Sequence, residues 1–426
     1  MKQETKRAGA PAPAQKPHPR PAAGSPSGAA SARLAPFAVI GLVVCAVLAL
    51  CYWNLWRPVP ITVNGEGQTM LVNTSVQALL EDRAFFDAPP GRLLSLGGAV
   101  LDEAGGERCT VRMNGEELAS SRFADTKVPE GAELEVSAGA DRTEPSFEQT
   151  VAAAPGITME SGGAVQFVSQ WGVPGKKVVT VGERSGETVD KEVVQAPVDM
   201  VVSSLNVKPQ GAGKYIALTF DDGPSGYTPN ILGILASKGA KATFFNLGSS
   251  EARYASYAKQ LVDGGHELAS HTNAHQYLPD LDAPSLRAEI TSAADAIESA
   301  AGVRPQMMRA PYGAFTANDW ARAGDLISCN VLWNIDTLDW KRPGAAAITS
   351  MVLDNAFNGA IVLMHDGGGN RAQDVEALPG IIDGLRGAGY ELVTVSELMD
   401  KDDRFPDAVV EGDVAMPEGA ELPPAA

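Results

Sequence analysis

Cysteine is scarce in this chain. Among 426 residues there are four, at positions 45, 51, 109 and 329, with no Cys-x-x-Cys and no close pair outside one apolar run. That excludes a disulfide framework and a thiolate zinc site. Basic charge is also in deficit, with 34 Lys and Arg against 52 Asp and Glu and a net charge of −18. Non-specific nucleic-acid binding depends on neutralising phosphates, so it is excluded too. No Gly-x-Ser-x-Gly occurs, which removes the nucleophile elbow of a serine esterase. A single long apolar run rules out a multi-span membrane protein. Histidine is limited to five residues, and four of them fall between positions 266 and 365.

What is present is modular, because 426 residues exceed what one hydrophobic core usually supports. Residues 1–33 carry six basic side chains against Glu4 and are rich in Pro, Ala, Gly and Ser, the composition of a disordered tail. Residues 34–56 are 23 consecutive uncharged residues ending in Tyr52, Trp53 and Trp56, enough helix to cross the ~30 Å bilayer core. No small-residue cleavage site follows, and Val44 and Leu50 precede the two cysteines where a lipoprotein would carry a small residue. A single-pass signal anchor is expected, with a cytoplasmic N-terminus and an extracytoplasmic remainder at the plasma membrane.

Residues 58–211 read as a β-rich extracellular stalk, with short Val, Thr and Ile runs between Gly, Pro and Asn turns. Ile61 to Gly65 and Val111 to Gly115 are similar segments, and a short helix over Ser75 to Glu81 capped by Thr74 makes a β-grasp-like module. Lys176 to Val181 and Thr188 to Val194 form a hairpin around Ser185-Gly186. The stretch from Gly172 to Val202 resembles the small five-glycine β modules of Gram-positive surface proteins; a plain spacer is the simpler reading.

From 212 to 400 strands and amphipathic helices alternate. Strands are expected at Tyr215 to Phe220, Ala242 to Leu247, His266 to Ser270, Gln306 to Arg309, Ile327 to Ile335, Ala360 to Met364 and Tyr390 to Val395. The fold class is therefore α/β, an irregular seven-stranded (β/α) barrel, preceded by the stalk and one N-terminal transmembrane helix. Residues 401–426 are acidic and Pro-rich and are expected to be disordered.

Barrel enzymes assemble their sites at the C-terminal ends of the strands. Those ends carry Thr219 to Pro224 with Asp221 and Asp222, His271 to His275, Arg309 to Gly313, Asp336 to Trp340, and Leu363 to Asp366 with His365 arriving from the opposite side of the rim. Taken singly, each block has a bland explanation: a turn, an exposed histidine pair, a surface cation or a helix cap. Five strand ends that all carry metal-ligand or acid-base residues point to one site. His266, a strand earlier, is assigned a structural place.

The order and spelling of these blocks resemble the polysaccharide deacetylase family, carbohydrate esterase family 4, over residues 214–399. The resemblance implies Asp221 as catalytic base and Asp222, His271 and His275 as metal ligands, and its motifs include Arg309, Asp339 and His365, the last of which the chemistry below makes the acid that protonates the departing nitrogen. It also implies the backbone N–H of Tyr312 as an oxyanion donor. None of the five motifs is degraded, and nothing comparable covers residues 1–211.

The chemistry agrees with those roles. An amide is a poor electrophile whose amine leaves only when protonated, so the reaction needs an activated water, a base and a separate acid. One divalent ion, zinc or else cobalt or nickel, suits the Asp-His-His donors. Arg309 is expected to keep Asp221 ionised, and Asp339 to hold His365 as imidazolium. Tyr312, Trp340 and Leu363 are expected to bind substrate, the last two as a dry wall around the acetyl group. A glycosidase would leave the histidine cluster unused, and a non-catalytic wall-binding protein would be expected to have lost a ligand or the base. The expected partner is N-acetylglucosamine-containing glycan, peptidoglycan above all, with secreted poly-N-acetylglucosamine, chitin oligomers or O-acetylated polysaccharide as alternatives.

Overall fold

A computed structural model of the protein describes residues 35–413 and 415–425. The basic tail expected over residues 1–33 lies outside them. The chain forms two compact units, one reaching to Glu144 and one running from Pro145.

In the first unit, helix Ala35–Cys51 passes into a π-helical turn at Tyr52–Trp56. The segment Val39–Trp56 is long and apolar enough to cross a membrane. A five-stranded sheet follows, in the order Glu66–Leu71, Pro58–Val63, Glu133–Ser137, Thr110–Met113, Glu116–Leu118. The two similar segments are its hairpin turns. Asn64-Gly65 and Asn114-Gly115 all have positive φ, from 51° to 82°, which matches the right-handed twist of paired strands. Helix Val76–Asp82 packs Leu79 and Leu80 onto Val59, Ile61, Val111 and Leu134. Its cap is Ser75, whose side chain accepts the Ala78 N–H, and not Thr74, whose hydroxyl donates to the Leu71 carbonyl.

The second unit begins well before residue 212. Its main sheet runs through seven parallel strands: Cys329–Val331, Met307–Met308, Glu267–Ser270, Thr243–Asn246, Lys214–Gly223, Ala360–His365 and Ile335–Asp336. Tyr390–Leu392 pairs with the start of the central Lys214–Gly223 strand. The stretch expected as one strand over Ile327 to Ile335 is two, at opposite ends of this ladder. Val331 and Ile335 are four residues apart, a reach of at most ~14 Å, whereas seven flat strands would span ~29 Å. The sheet therefore curls until its ends approach. Among the described residues no ladder joins those ends, so the barrel is open.

The opening edge is covered by part of the supposed stalk. Val165–Gln170 pairs antiparallel with Cys329–Val331, followed outward by Met200–Leu205 and Ile157–Met159. Val165 and Phe167 are buried with Val331, and Met200 and Val202 with Ile290 and Trp320. The boundary expected at 211/212 is thus corrected to about 144/145. It was hidden because strand pairing across more than a hundred residues leaves no local signal. The five-glycine-like stretch is divided too. Its hairpin, Gly175–Gly182 and Thr188–Gln195, joins Ser146–Ala153 in a separate sheet, while Met200–Leu205 belongs to the main one.

Residues 402–411, part of the tail expected to be disordered, pack onto the second unit. Phe405 packs against Phe167 with ring centroids 5.5 Å apart, Val409 of helix Asp407–Glu411 is buried, and Asp402 accepts the Lys208 N–H at 2.8 Å. A few apolar residues suffice to anchor an otherwise charged segment.

Candidate active site

The site begins with a break in the central strand. Asp221 is in register with Phe245, but the next pair is Gly223 with Asn246, and Asp222, skipped between them, has a φ of 68°. Neighbouring side chains in a regular strand point to opposite faces. The irregularity re-aims one of them, and both carboxylates line one cavity of about 410 Å³.

His271 and His275 enter from the loop after strand Glu267–Ser270. Thr272 and His275 take positive φ, 65° and 55°, and such backbone costs ~1–2 kcal/mol per residue. Glu289, buried on helix Ala283–Ala301, holds the loop in place. Its carboxylate accepts the Ala274 N–H at 2.5 Å, the Thr272 hydroxyl at 3.2 Å and the Gln276 amide at 3.3 Å. The His271 Nδ1 bonds the Arg309 carbonyl at 2.8 Å, which turns Nε2 to the cavity. Both His271 Nε2 and His275 Nε2 lie 3.5 Å from Asp222 Oδ1.

This arrangement can hold a metal. One ligand atom from each of Asp222, His271 and His275 lies within 4.8 Å of the others. Asp222 Oδ1 is buried with no hydrogen-bond donor, an orphan that a cation would satisfy. Burial pushes the proton affinity of His271 down, leaving a neutral imidazole suited to ligation. Two imidazoles and a carboxylate fit a divalent ion such as zinc, cobalt or nickel.

Asp221 and Arg309 form a buried pair. Arg309 Nη1 donates to Asp221 Oδ1 at 2.6 Å and to the Thr219 hydroxyl at 2.8 Å, and Nε donates to the Val331 carbonyl at 2.8 Å. Its guanidinium lies 4.1 Å over the Phe245 ring. Burial nevertheless outweighs Arg309, and the proton affinity of Asp221 is raised above the ordinary carboxylate value. Arg309 thus orients Asp221 and moderates its basicity without driving it below that value.

His365 stands beside Asp221 and does not face it across the rim, because the two are register partners on adjacent parallel strands. Asp339 holds it, accepting from imidazole Nδ1 at 2.8 Å and from the His365 backbone N–H at 2.7 Å. Burial lowers the proton affinity of His365, but the Asp339 bond and charge outweigh it and the net shift is upward.

Of the ten residues singled out from the sequence, Asp221, Asp222, His271, His275, Tyr312, Trp340, Leu363 and His365 line the cavity. Arg309 and Asp339 lie directly behind Asp221 and His365. Leu363 is buried, but Trp340 is 51% exposed, so it stands at the rim and not in a sealed wall. The Pro311–Gly313 turn closes through the Gly313 and Ala314 N–H groups, which leaves the Tyr312 amide outside the turn's own bonds. Trp333 and Asp336 also line the cavity. Asp336 stood in a motif; Trp333 and Glu289 carried no signal, one lying between strands and the other in mid-helix. His266 lies outside the cavity, edge-on to Phe244 at 5.7 Å, with its proton affinity pushed down to about 4, mainly by burial.

The family model for polysaccharide deacetylase matches residues 208–326. A peptidoglycan-N-acetylglucosamine deacetylase of Bacillus cereus is 39% identical over 189 residues, 44% of this chain and 88% of that protein. The chain belongs to the polysaccharide deacetylase family. This deacetylase is also 36% identical to a chitooligosaccharide deacetylase of Bradyrhizobium over 43% of its length and 90% of the relative. Among solved structures, peptidoglycan deacetylase PdaC from Bacillus subtilis aligns at 33% identity with a TM-score of 0.42, covering 45% of this chain and 93% of that one. Asp339 and His365 lie beyond the residues that the family model matches, and it is the geometry above that brings them to the candidate site.

Proposed function

We propose that the protein is a membrane-anchored, divalent-metal-dependent N-deacetylase that removes acetyl groups from N-acetylglucosamine in cell-wall glycan. The observation that carries this reading is the meeting in one cavity of Asp221 backed by Arg309, His365 backed by Asp339, and the Asp222, His271 and His275 donor set.

The proton affinities of the two flanking groups support an acid-base pair. Asp221, its proton affinity raised by burial, is a stronger base in its ionised form than an exposed carboxylate. His365, whose proton affinity Asp339 raises, is favoured in the protonated form that can give a proton to a leaving amine. Arg309 occupies Asp221 Oδ1, so Oδ2 is the oxygen that takes a proton from water. Asp339 occupies Nδ1 of His365, so Nε2 is the nitrogen that gives one up. A divalent ion held by Asp222, His271 and His275 would polarise the acetyl carbonyl and acidify a water. The Tyr312 amide is available to a developing oxyanion, and the exposed Tyr312 and Trp340 rings offer flat apolar faces for sugar rings.

The name of the Bacillus cereus relative and the apolar helix before the folded units favour a polymer close to the membrane's outer face, hence peptidoglycan. The chitooligosaccharide deacetylase relative favours a second reading, in which the substrate is a chitin oligomer or secreted poly-N-acetylglucosamine. Deleting the gene and measuring free amine in purified muropeptides separates them. Amine content should fall; unchanged content in cells shown to express the protein excludes peptidoglycan.

A further inference from the structure

Behind the His365–Asp339 pair sits a second carboxyl group that the reaction as described leaves unused. Asp374, in the first turn of helix Ala372–Gly387, is 1% exposed, and Asp339 is 0% exposed. The Asp339 carboxylate already accepts the His365 imidazole and backbone N–H groups and the Trp340 N–H at 2.8 Å. Neither oxygen of Asp374 receives any N–H or O–H donor, yet Asp374 lies within hydrogen-bonding reach of Asp339. The nearby cation does not donate to it: Arg371 directs Nε and Nη2 to the carbonyls of Gly367 and Gly368 at 2.6 and 3.2 Å, and its Nη1 is buried with no acceptor.

Two buried carboxylates in contact would oppose lone pair to lone pair and charge to charge. A single proton between them converts that repulsion into an O–H···O⁻ bond, among the stronger hydrogen bonds in proteins. The proton belongs on Asp374, because Asp339 already has three N–H donors that stabilise its anion. We propose that Asp374 is a positioning residue for the acid of the reaction: it stays a neutral carboxylic acid, donates its O–H to Asp339, and so limits how tightly Asp339 holds the His365 proton. This rests on the reading of His365 as that acid.

The charge balance gives the reason. The charges facing His365 are Asp339 from the Asp339–Lys341 turn and Asp221 and Asp222 from the central strand, with Asp374 and Arg371 behind Asp339. With Asp374 neutral, Asp339 and protonated His365 cancel, and the charge left in the array is that of Arg371. An ionised Asp374 would add a second buried anion beside Asp339 and tighten the hold of Asp339 on the His365 proton. Burial followed by the bond to Asp339 raises the proton affinity of Asp374, in the same sense.

The test uses the full-length, metal-loaded protein in detergent, with a chitooligosaccharide and an aryl acetate as substrates. Asp374→Asn keeps a neutral donor and should preserve the pH profile of kcat within about threefold, whereas Asp374→Ala should move the alkaline limb upward and lower amide turnover ~10-fold, with aryl acetate turnover little changed. An alkaline limb that stays in place in Asp374→Ala, or equal losses in both variants on both substrates, overturns the proposal. Difference infrared spectroscopy of wild type against Asp374→Asn needs no turnover. A protonated carboxyl band at neutral pH supports the proposal, and its absence overturns it. If the band is present but the limb does not move, the tuning role fails, and a His365→Ala variant that spares amide turnover traces that failure to the assignment of the acid.

Discussion

Asp221 and His365 are register partners on adjacent parallel strands, Lys214–Gly223 and Ala360–His365. Their side chains therefore leave the sheet on the same face, one strand spacing apart, ~4.8 Å. Each is backed by a buried partner of opposite charge, Arg309 for Asp221 and Asp339 for His365. Neighbouring strand ends thus present a base and an acid to one cavity.

Metal dependence should be complete. Chelation should abolish deacetylation, and added zinc or cobalt should restore it. His275→Ala should lose both metal and activity, measured by elemental analysis beside acetate release. Wild-type metal content and turnover in that variant would remove the proposed ligand set.

Asp221 and His365 should give a bell-shaped pH profile. The base must be ionised, so activity falls as pH drops through the Asp221 value, which burial raises above the ordinary ~3.9. The acid must be protonated, so activity falls as pH rises through the His365 value, which Asp339 raises above the ordinary ~6.5. Asp221→Asn should keep its metal and lose ~10²–10⁴-fold in kcat; a loss below tenfold would contradict its role as base.

His365→Ala should discriminate between leaving groups. Amide substrates need a protonated nitrogen and should suffer the larger loss, while an aryl acetate leaves without a proton. Parallel kinetics on both substrates check this, and equal losses would end the assignment of His365 as acid.

The C-terminal segment should matter for stability. Phe405→Ala removes a buried ring that packs on Phe167 and should cost ~3 kcal/mol. Urea unfolding followed by tryptophan fluorescence would show a lower midpoint, and an unchanged one would mean that the segment is not part of the fold.

Topology can be read on intact cells. Externally added protease should digest the folded units and spare an N-terminal tag. A processed, soluble protein as the main form would show instead that the apolar segment is a cleaved signal.

The sequence by itself determined the five blocks at the strand ends, the alternation of strands and helices from Tyr215 onward and the uncharged run before Arg57. These are local signals, carried by residue type, period and spacing. The Asn-Gly turns were equally legible, because φ preference belongs to the residue. Only the tertiary structure decided where the second unit begins, since the pairing of Val165–Gln170 with Cys329–Val331 joins segments more than 150 residues apart and each could have paired elsewhere. It also divided one expected strand at Leu332 to Asn334, because the curl of the whole sheet, and not local propensity, sets where a ladder stops. The proton affinities were decided there as well. Burial made Asp221 more basic despite Arg309, and packing brought Asp374 against Asp339. Desolvation and carboxyl contact depend on what surrounds a side chain in space, which the order of residues along the chain does not record.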